Sequence, residues 1–505
     1  MASLVLGIDV GTTGTKAVLA DPRDGRVLAQ ASEPVALSSA HPGWAEADPA
    51  QWWANLATVV PRVLDAASAD GPRVTAGDIA AVATTGMVPA VLAVDGQGQP
   101  LRPAILQNDA RAVAEIRELG AALAGLDFVA RTGSALTQQS VAPTLAWLAA
   151  HEPQVRADTR HVLGSYDWLA VALGAEPHVE RNWALESGLF DLATGELIGE
   201  ITAAARIDPA IVPRVVDPGT VVGAVSADAA RHAGLRAGTA VVAGGADHVL
   251  SAYAAGLAHP GDWLVKLGGA GDILVVSATP LVDERLYLDA HPKPGLWLPN
   301  GCMATSGSLI RWFQSVSGGA SLADLEAAAA VAAPAELICL PYFLGEKSPV
   351  HDPDLRGAFL GLHLGHTRGD LYRAILEAIA YGFRHHVEVF AERGVRLAAT
   401  ARVSNGGSKS RVWKQILADA LGVTLEPVVD HPGAALGAAV AAGVGAGLVP
   451  DWATATDKAT LVALGEPVVP DASLADCYQQ SYRLYREAAT AIAPISHQLA
   501  RRSVS

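Results

Sequence analysis

The residues best suited to do chemistry stand in one glycine-rich turn close to the N-terminus. Asp9 ends an apolar run, and the segment "GIDVGTTGTKA" continues with Gly11, Thr12, Thr13, Gly14 and Lys16. Positive φ at the two glycines would let backbone N–H groups converge on phosphate oxygens, while the hydroxyls and the ammonium add donors and charge. A carboxylate beside such an anion site needs a cation between them, which indicates phosphate together with Mg²⁺. A plain hairpin turn, in which Asp9 satisfies backbone donors, is the alternative.

Short strands must position this turn. The sequence predicts three strands joined directly by turns: the apolar runs on either side of the glycine turn, and the run "RVLAQ" after "PRDG". A dinucleotide-binding fingerprint needs the glycine turn to open a helix and has another glycine spacing, so a Rossmann site is not indicated. Downstream, "DIAAVATTG" predicts a strand, and "DPAQWWANLATVVPRVLDAA" predicts an amphipathic helix opened by Asp48 and Pro49. Alternating strands and helices predict the α/β class.

The opening pattern returns near the middle of the chain. The segment "GDWLVKLGGAGDILVVS", residues 261–277, is again an apolar run, a glycine turn and a second apolar run. Two such hairpins predict two similar domains facing one cleft, and we place the boundary near "VVAGGADHVLSAYAAG", which gives residues 1–245 and 246–505. A third cluster, Asn405 with Gly406 and Gly407, precedes an amphipathic helix whose N-terminus could receive an anion or a nucleotide.

The composition excludes several classes of protein. Half of the 505 residues are hydrophobic and 17% are charged, as in a compact globular chain. The net charge of −15, without a run rich in lysine or arginine, argues against nucleic acid as a partner. Three dispersed cysteines indicate neither a disulfide framework nor a zinc site, and without a secretory signal or a membrane span we expect a cytoplasmic protein. The run "HPGAALGAAVAAGVGAGLVP" predicts a packed internal helix.

Six segments occur in the order typical of one enzyme family. They are "GIDVGTTGTKA", "HPGWAEADPAQWW", "LRPAILQND", "AGGADHVLSAYAAG", "GEKSPVHDPDLRGAFLGL" and "NGGSKSRVWKQILAD". On these segments the sequence resembles the FGGY carbohydrate kinases over nearly its whole length, and most closely their xylulokinase branch. The resemblance implies two ribonuclease-H-like domains around a central cleft. It also implies ATP with Mg²⁺, and transfer of the γ-phosphoryl group to a hydroxyl of a sugar, expected to be a ketopentose.

The resemblance gives each candidate residue a role. Asp247 in "GGADH" matches the catalytic base, and a carboxylate within hydrogen-bond reach of a hydroxyl can accept its proton. A helix N-cap is the alternative role for Asp247. Asp9 would hold Mg²⁺ through water. The residues that would face the phosphates and the nucleoside are spread over the glycine clusters: Gly11, Thr12, Thr13, Lys16, Gly268, Gly269, Gly307, Arg311, Gly406, Gly407 and Arg411. Many relatives have threonine at the position of Gly269, so one hydroxyl contact is missing there.

The expected acceptor pocket departs from the same relatives. Met87 matches a xylulokinase methionine, but Val88 replaces the histidine that follows it in xylulokinases. Gln107 replaces a frequent tryptophan, and Gln139 falls near a tyrosine that glycerol kinases place against their substrate. His248, next to the expected base, completes the predicted pocket. Because a site that hydrogen-bonds one hydroxyl rejects analogues without it, we expect a ketopentose or related sugar other than D-xylulose. Another polyol or a modified sugar is one alternative, and D-xylulose itself is a second if a neighbouring side chain or water supplies the missing donor.

Two other functions are compatible with these motifs. An ATPase that works as a conformational switch would use the same phosphate hairpins, but it would not need Asp247 beside an acceptor hydroxyl. A non-catalytic sugar sensor is the second alternative because of Val88 and Gly269, and sugar-dependent release of ADP separates it from an enzyme. A small sugar is the expected partner, neither nucleic acid nor a membrane is expected, and a homodimer is left open.

Overall fold

The computed structural model describes residues 3–69, 71–458 and 463–502, whose strands form two large sheets and several small ones. In chain order the strands β1 to β22 are Leu4–Val10, Gly14–Asp21, Arg26–Pro34, Leu37–Ser38, Glu46–Ala47, Ile79–Gly86, Leu92–Val94, Ala104–Ile105, His161–Leu163, Val179–Glu180, Val215–Val216, Val221–Ala224, Ala240–Ala246, Trp263–Leu267, Gly271–Val275, Tyr287–Ala290, Trp297–Met303, Ile338–Leu340, Ala358–Leu360, Thr400–Ser404, Thr424–Val429 and Ala463–Leu464.

Helices cover both faces of the large sheets. In chain order the helices α1 to α17 are Pro49–Ala67, Val113–Ala122, Phe128–Thr132, Val141–His151, Pro153–Asp158, Ser165–Leu173, Arg181–Glu186, Gly199–Ala204, Ala227–Ala233, Asp247–Ala254, Gly307–Val316, Leu322–Val331, Arg368–Glu392, Arg411–Leu421, Ala434–Gly445, Trp452–Lys458 and Ala475–Arg502. The predicted α/β class is confirmed. Among the described residues, none of these helices is both long and apolar enough to cross a membrane.

The first large sheet has six strands in the order β12-β13-β6-β1-β2-β3. Strand β1 pairs antiparallel with β2 and parallel with β6, and β2 continues antiparallel into β3. This is the predicted meander, because no helix separates these first strands. We call β1, β2 and their turn the first hairpin; its register places Asp9 opposite Lys16.

The second large sheet has seven strands in the order β16-β17-β15-β14-β20-β21-β22. Strand β14 pairs antiparallel with β15 and parallel with β20. The three strands β15, β14 and β20 therefore repeat the arrangement of β2, β1 and β6 in the first sheet. We call β14, β15 and their turn the second hairpin; its register places Lys266 opposite Asp272. The predicted return of the opening pattern in mid-chain is confirmed.

Helix α1 begins where the sequence predicts. The side chain of Asp48 accepts a hydrogen bond from the backbone N–H of Ala50 at 2.9 Å, and Pro49 is the first helical residue. A capping carboxylate satisfies one of the free N–H groups of the first turn, and proline has no N–H to leave unsatisfied.

The alanine- and glycine-rich run near residue 440 forms α15, a buried helix that packs on the first sheet although it comes from the C-terminal half. Its backbone approaches β1 so closely that a Cβ atom on Gly7 would lie 1.9 Å from the carbonyl oxygen of Ala435. Only small residues permit this contact, which explains the composition of the run and confirms the predicted internal helix. The predicted boundary between residues 245 and 246 lies next to the junction of β13 and α10, and it stays a prediction.

Candidate active site

The first hairpin carries the expected residues, but its glycines act differently from expectation. The turn is closed by a hydrogen bond from the N–H of Gly11 to the carbonyl oxygen of Gly14, at 3.0 Å. Neither glycine has a positive φ, so that part of the prediction is wrong. Gly14 is needed instead for close approach, because a Cβ atom there would lie 2.9 Å from the carbonyl oxygen of Glu33 on β3. Thr12 is half-buried and Thr13 is exposed.

Asp9 stands at the end of β1 in an unfavourable setting for a charge. Its Oδ1 atom is enclosed and has no hydrogen-bond partner. Burial and the nearby charge of Asp247 raise the pKa of Asp9 to about 7, against the opposing effect of Lys16 and Lys266. Two carboxyl groups and two ammonium groups therefore meet here, and an orphaned carboxylate oxygen in such a place fits a hard cation.

Lys16 lies across the first hairpin from Asp9 and reaches α15. Its Nζ atom donates to the carbonyl oxygen of Pro432 at 2.6 Å, just before the helix begins. Burial lowers the pKa of Lys16, although the charge of Asp9 opposes this. The ammonium is thus held between the hairpin and the start of a helix, where an anion could replace the carbonyl as its partner.

The second hairpin meets the start of α11. The backbone N–H of Gly307 donates to the carbonyl oxygen of Gly268 at 2.8 Å, and the N–H and hydroxyl of Ser308 both donate to that of Gly269, at 3.0 and 2.9 Å. A Cβ atom on Gly307 would lie 2.6 Å from the oxygen of Gly268, and one on Gly269 would lie 3.3 Å from Nη2 of Arg311. The structure therefore brings these four predicted residues together.

The third glycine cluster lies beside the second hairpin. A Cβ atom on Gly407 would lie 2.6 Å from the Cβ of Leu267 and 2.3 Å from the ring of Trp413, so this position requires glycine. Gly406 is exposed with open space where a Cβ would be, and Arg411 is the exposed first residue of α14. Gly407 thus has a packing role, while Gly406 and Arg411 leave an open surface.

Lys266 is a candidate that the sequence analysis missed. Its Nζ lies 3.8 Å from Oδ2 of Asp272, and its charge acts on both Asp9 and Asp247. Lys266 stands two positions before Gly268, as Asp9 stands two positions before Gly11. This equal spacing in the two hairpins is the signal that could have found it.

Asp247 is the first residue of α10, directly after β13. Ala246, not Asp247, is the N-cap, and Oδ1 of Asp247 accepts from the backbone N–H of the next residue, His248, at 2.6 Å. Its side chain is 37% exposed. Although burial acts to raise its pKa, the hydrogen bond and charge of His248 and the charge of Lys266 lower the pKa of Asp247 below its usual value. The lowered pKa favours the ionised carboxylate, which is the form that can accept a proton.

Two further acidic residues that sequence reasoning missed, Glu186 and Asp289, surround His248. The Nε2 atom of His248 lies 2.7 Å from Oδ2 of Asp289 and 3.9 Å from Oε1 of Glu186. Burial opposes a charged imidazole, but the charge of Asp289 and hydrogen bonds to Asp247 and Asp289 raise the pKa of His248 well above its usual value. Burial and the charge of Asp289 raise the pKa of Glu186, which favours its neutral form.

The predicted acceptor residues lie on three segments near this cluster. Met87 and Val88, 1% and 5% exposed, follow β6, whose last residue Gly86 pairs with Ala246 immediately before Asp247. Backbone hydrogen bonds link Val91 to Ile105, close to Gln107, and Val141 to Ser187, which brings the segment of Gln139 beside the end of α7.

The two glutamines share one property. The Oε1 atoms of Gln107 and Gln139 are both buried without a hydrogen-bond partner. Buried acceptors of this kind require a donor, and the hydroxyl groups of a sugar would supply one.

Comparison with known proteins agrees with this geometry. The model of the FGGY family of carbohydrate kinases, N-terminal domain, matches residues 4–254, and that of the C-terminal domain matches residues 265–446. A crystal structure of xylulose kinase from Rhodospirillum rubrum is 44% identical, with a TM-score of 0.88 over 98% of this chain and 100% of that one.

Two curated relatives are from Escherichia coli strain K12. Its xylulose kinase is 30% identical over 441 residues, 86% of this chain and 89% of the relative. Its L-xylulose/3-keto-L-gulonate kinase is 30% identical over 513 residues, 97% of this chain and 98% of the relative. The resemblance drawn from the six sequence segments is confirmed, and the chain belongs to the FGGY family of carbohydrate kinases.

Proposed function

We propose that this carbohydrate kinase transfers the γ-phosphoryl group of ATP to a hydroxyl of a ketopentose, with Asp247 as the general base. The observation that carries the proposal is that Asp9 of the first hairpin, Lys266 of the second and Asp247 lie close enough for their charges to act on one another. The pKa of Asp247 is lowered and its side chain is partly exposed, whereas Oδ1 of Asp9 is enclosed without a hydrogen-bond partner. The two carboxyl groups thus suit different tasks.

Asp247 takes the proton that the attacking hydroxyl must lose. Its Oδ1 atom is engaged by His248, so Oδ2 is the oxygen that meets the acceptor. A hydroxyl held there can attack in line with the bond to the leaving ADP. General-base assistance of this kind contributes about 10²- to 10⁴-fold in rate.

Asp9 fits a divalent cation, because its orphaned, enclosed carboxylate oxygen is a ligand of the type that Mg²⁺ prefers. Bound beside the phosphates, Mg²⁺ would supply positive charge to the phosphoryl oxygens as the bond to the leaving group breaks. The protein adds Lys16 and the turn residues Gly11, Thr12 and Thr13.

The opposite wall of the nucleotide site is formed by the second half of the chain. Gly268 and Gly307 pack backbone against backbone, which the absence of Cβ atoms permits, and this contact holds the turn of the second hairpin against the start of α11. Arg311, next to Gly269, and Gly406, Gly407 and Arg411 extend this wall towards the expected adenosine site.

The acceptor class follows from relatives and from the pocket. The relatives are named as kinases of xylulose or of L-xylulose and 3-keto-L-gulonate, which favours a ketose. Gln107 and Gln139 offer buried acceptors to sugar hydroxyls, and the neighbouring segment contributes the buried apolar side chains of Met87 and Val88. Since the side chain of Val88 cannot form a hydrogen bond, a sugar hydroxyl buried against it would weaken the binding free energy by about 1 to 3 kcal/mol. This favours a ketopentose other than D-xylulose, or another polyol or modified sugar as second candidate.

A coupled assay of ADP release tests the proposal. Purified protein is offered D-xylulose, L-xylulose, D-ribulose, L-ribulose, their deoxy forms and the matching alditols, with and without a metal chelator. We expect Mg²⁺-dependent release of ADP with at least one ketopentose, and kcat/KM for D-xylulose below that of the leading sugar. Release with none of them, or full turnover in excess chelator, contradicts the acceptor class or the role of Asp9 respectively. A hundredfold lead of D-xylulose contradicts the argument from Val88.

A further inference from the structure

A cluster of polar side chains lies directly behind Asp247 and joins α10 to two strands at the edge of the second large sheet. His248 lies on α10, Asp289 on β16 and Asn300 on β17. Nε2 of His248 is 2.7 Å from Oδ2 of Asp289, and the side-chain amide of Asn300 donates to the same oxygen at 2.8 Å. One ring nitrogen of His248 is therefore fixed by a carboxylate that is itself held in place.

The other ring nitrogen faces the proposed base. Nδ1 of His248 lies 3.5 Å from Oδ1 of Asp247, the oxygen that also accepts the backbone N–H of His248. The side chain of Asp289 is 1% exposed, that of His248 20% and that of Asp247 37%. The three groups thus form a line from the interior to the space where an acceptor would lie.

Asp289 does not depend on His248 for its position. The neighbouring Ala290 donates its N–H to Oδ1 of Asn182 at 2.7 Å and accepts from Nδ2 of Asn182 at 3.1 Å. On the other side, the N–H of Leu288 donates to Oγ of Ser134 at 3.1 Å. These contacts fasten β16 to the N-terminal half, so Asp289 is a fixed anchor for the imidazole.

We propose that His248 is a positioning residue, which couples Asp247 to the anchor Asp289 and keeps Oδ2 of Asp247 directed at the acceptor hydroxyl. The inference rests on the proposed role of Asp247 as base. In the transfer, the hydroxyl O–H bond breaks and its proton passes to Oδ2 of Asp247. The hydroxyl oxygen forms a bond to the γ-phosphorus while the bond from that phosphorus to the bridging oxygen of ADP breaks. His248 keeps its own protons throughout.

Steady-state kinetics of His248→Gln and Asp289→Asn test this coupling. Each variant should lower kcat by about tenfold to a hundredfold, since misplacing a reacting group by about 1 Å can cost about 10²-fold. KM for the sugar and the affinity for ATP should stay close to wild type. The double variant should lose no more than His248→Gln alone, because both changes break the same contact. His232→Gln is the matched control: this half-buried histidine bonds the carbonyl oxygen of Trp53 on α1, and the variant should keep wild-type kcat.

Proton NMR of protein labelled at histidine tests separately whether the hydrogen bond between His248 and Asp289 forms in solution. The imidazole proton held between His248 and Asp289 should resonate far downfield in the wild type and in Asp247→Asn. It should be absent from His248→Gln and Asp289→Asn, whose melting temperatures show that they are folded.

Three outcomes overturn the inference: wild-type kcat in folded Asp289→Asn, a loss confined to KM, or losses that multiply in the double variant. Failure of the proposed function gives a different result. If Asp247→Asn itself keeps full turnover, the base is wrongly assigned. If Asp247→Asn is inactive while His248→Gln and Asp289→Asn turn over normally, only the positioning role is wrong.

Discussion

Replacing Asp9 by asparagine should stabilise the metal-free enzyme at neutral and alkaline pH. Oδ1 of Asp9 is enclosed without a hydrogen-bond partner, and burial together with the charge of Asp247 raises the pKa of Asp9 from 3.8 to about 7. Above that pH the fold must hold two neighbouring ionised carboxylates. Asparagine has nearly the same shape and no charge, so Asp9→Asn removes this repulsion while it also removes the proposed metal ligand.

The size and sign of the effect follow from the direction of the pKa shift. Because the pKa is raised in the folded state, the unfolded chain releases the Asp9 proton first as pH rises, and folding becomes less favourable. The destabilisation is absent below about pH 4, grows by about 1.4 kcal/mol per pH unit, and is constant above about pH 7. The full shift of the Asp9 pKa, from 3.8 to about 7, lowers the free energy of unfolding by about 4 kcal/mol above about pH 7.

Thermal melts in excess chelator between about pH 5 and about pH 8 measure this difference. The stability gap between Asp9→Asn and wild type should widen up to about pH 7 and then level off. Asp24→Asn, which removes a charge from the exposed turn after β2, is the matched control and should follow wild type. Mg²⁺ with ATP should narrow the gap, because ligands stabilise the protein that binds them. A gap that does not change with pH, or a less stable Asp9→Asn at about pH 8, would refute the reasoning.

Three further changes give distinct results. Asp247→Asn should lower kcat by about 10²- to 10⁴-fold while ATP affinity, measured by calorimetry, is retained; unchanged turnover would contradict the base assignment. Gly307→Ala places a Cβ 2.6 Å from the oxygen of Gly268, and the resulting overpacking of about 1 to 3 kcal/mol should weaken ATP binding, measured by the same calorimetry, about tenfold or more. Lys266→Met should weaken binding of ATP more than of ADP, since its charge acts at Asp247 and Asp9; an equal loss for both nucleotides would place Lys266 away from the γ-phosphate.

Local signals explain what the sequence could predict. The meander, α1 with its Asp48 cap and the buried helix α15 each depend on residues that are neighbours in the chain, so periodicity, capping and small-residue composition predict them. The glycine clusters also stand where they were expected. The predicted reason for glycine was wrong at Gly11 and Gly14, because neither has a positive φ. Gly14 is required instead by the close approach of β3.

The surroundings of Asp247 could not be predicted in the same way. Glu186 and Asp289 come from segments 61 residues before and 42 residues after it, and nothing in their local sequence separates them from surface acids. Only the pairing of β16 with β17, and the docking of both beside α7 and α10, makes them neighbours of His248. Buried acidic residues acquire their role from the tertiary fold.

The two hairpins carry opposite charges at equivalent positions, and this asymmetry accounts for how the site is held together. In the first hairpin Asp9 comes before the turn and Lys16 after it, whereas in the second Lys266 comes before the turn and Asp272 after it. When two similar hairpins face each other, identical charges at these positions would repel. Here the charge of Lys266 favours the ionised form of Asp9 across the gap, as Lys16 does within its own hairpin. The opposite charges therefore favour the approach of the two hairpins without a ligand, and in the proposed site both lysines would face the negative charge of a triphosphate.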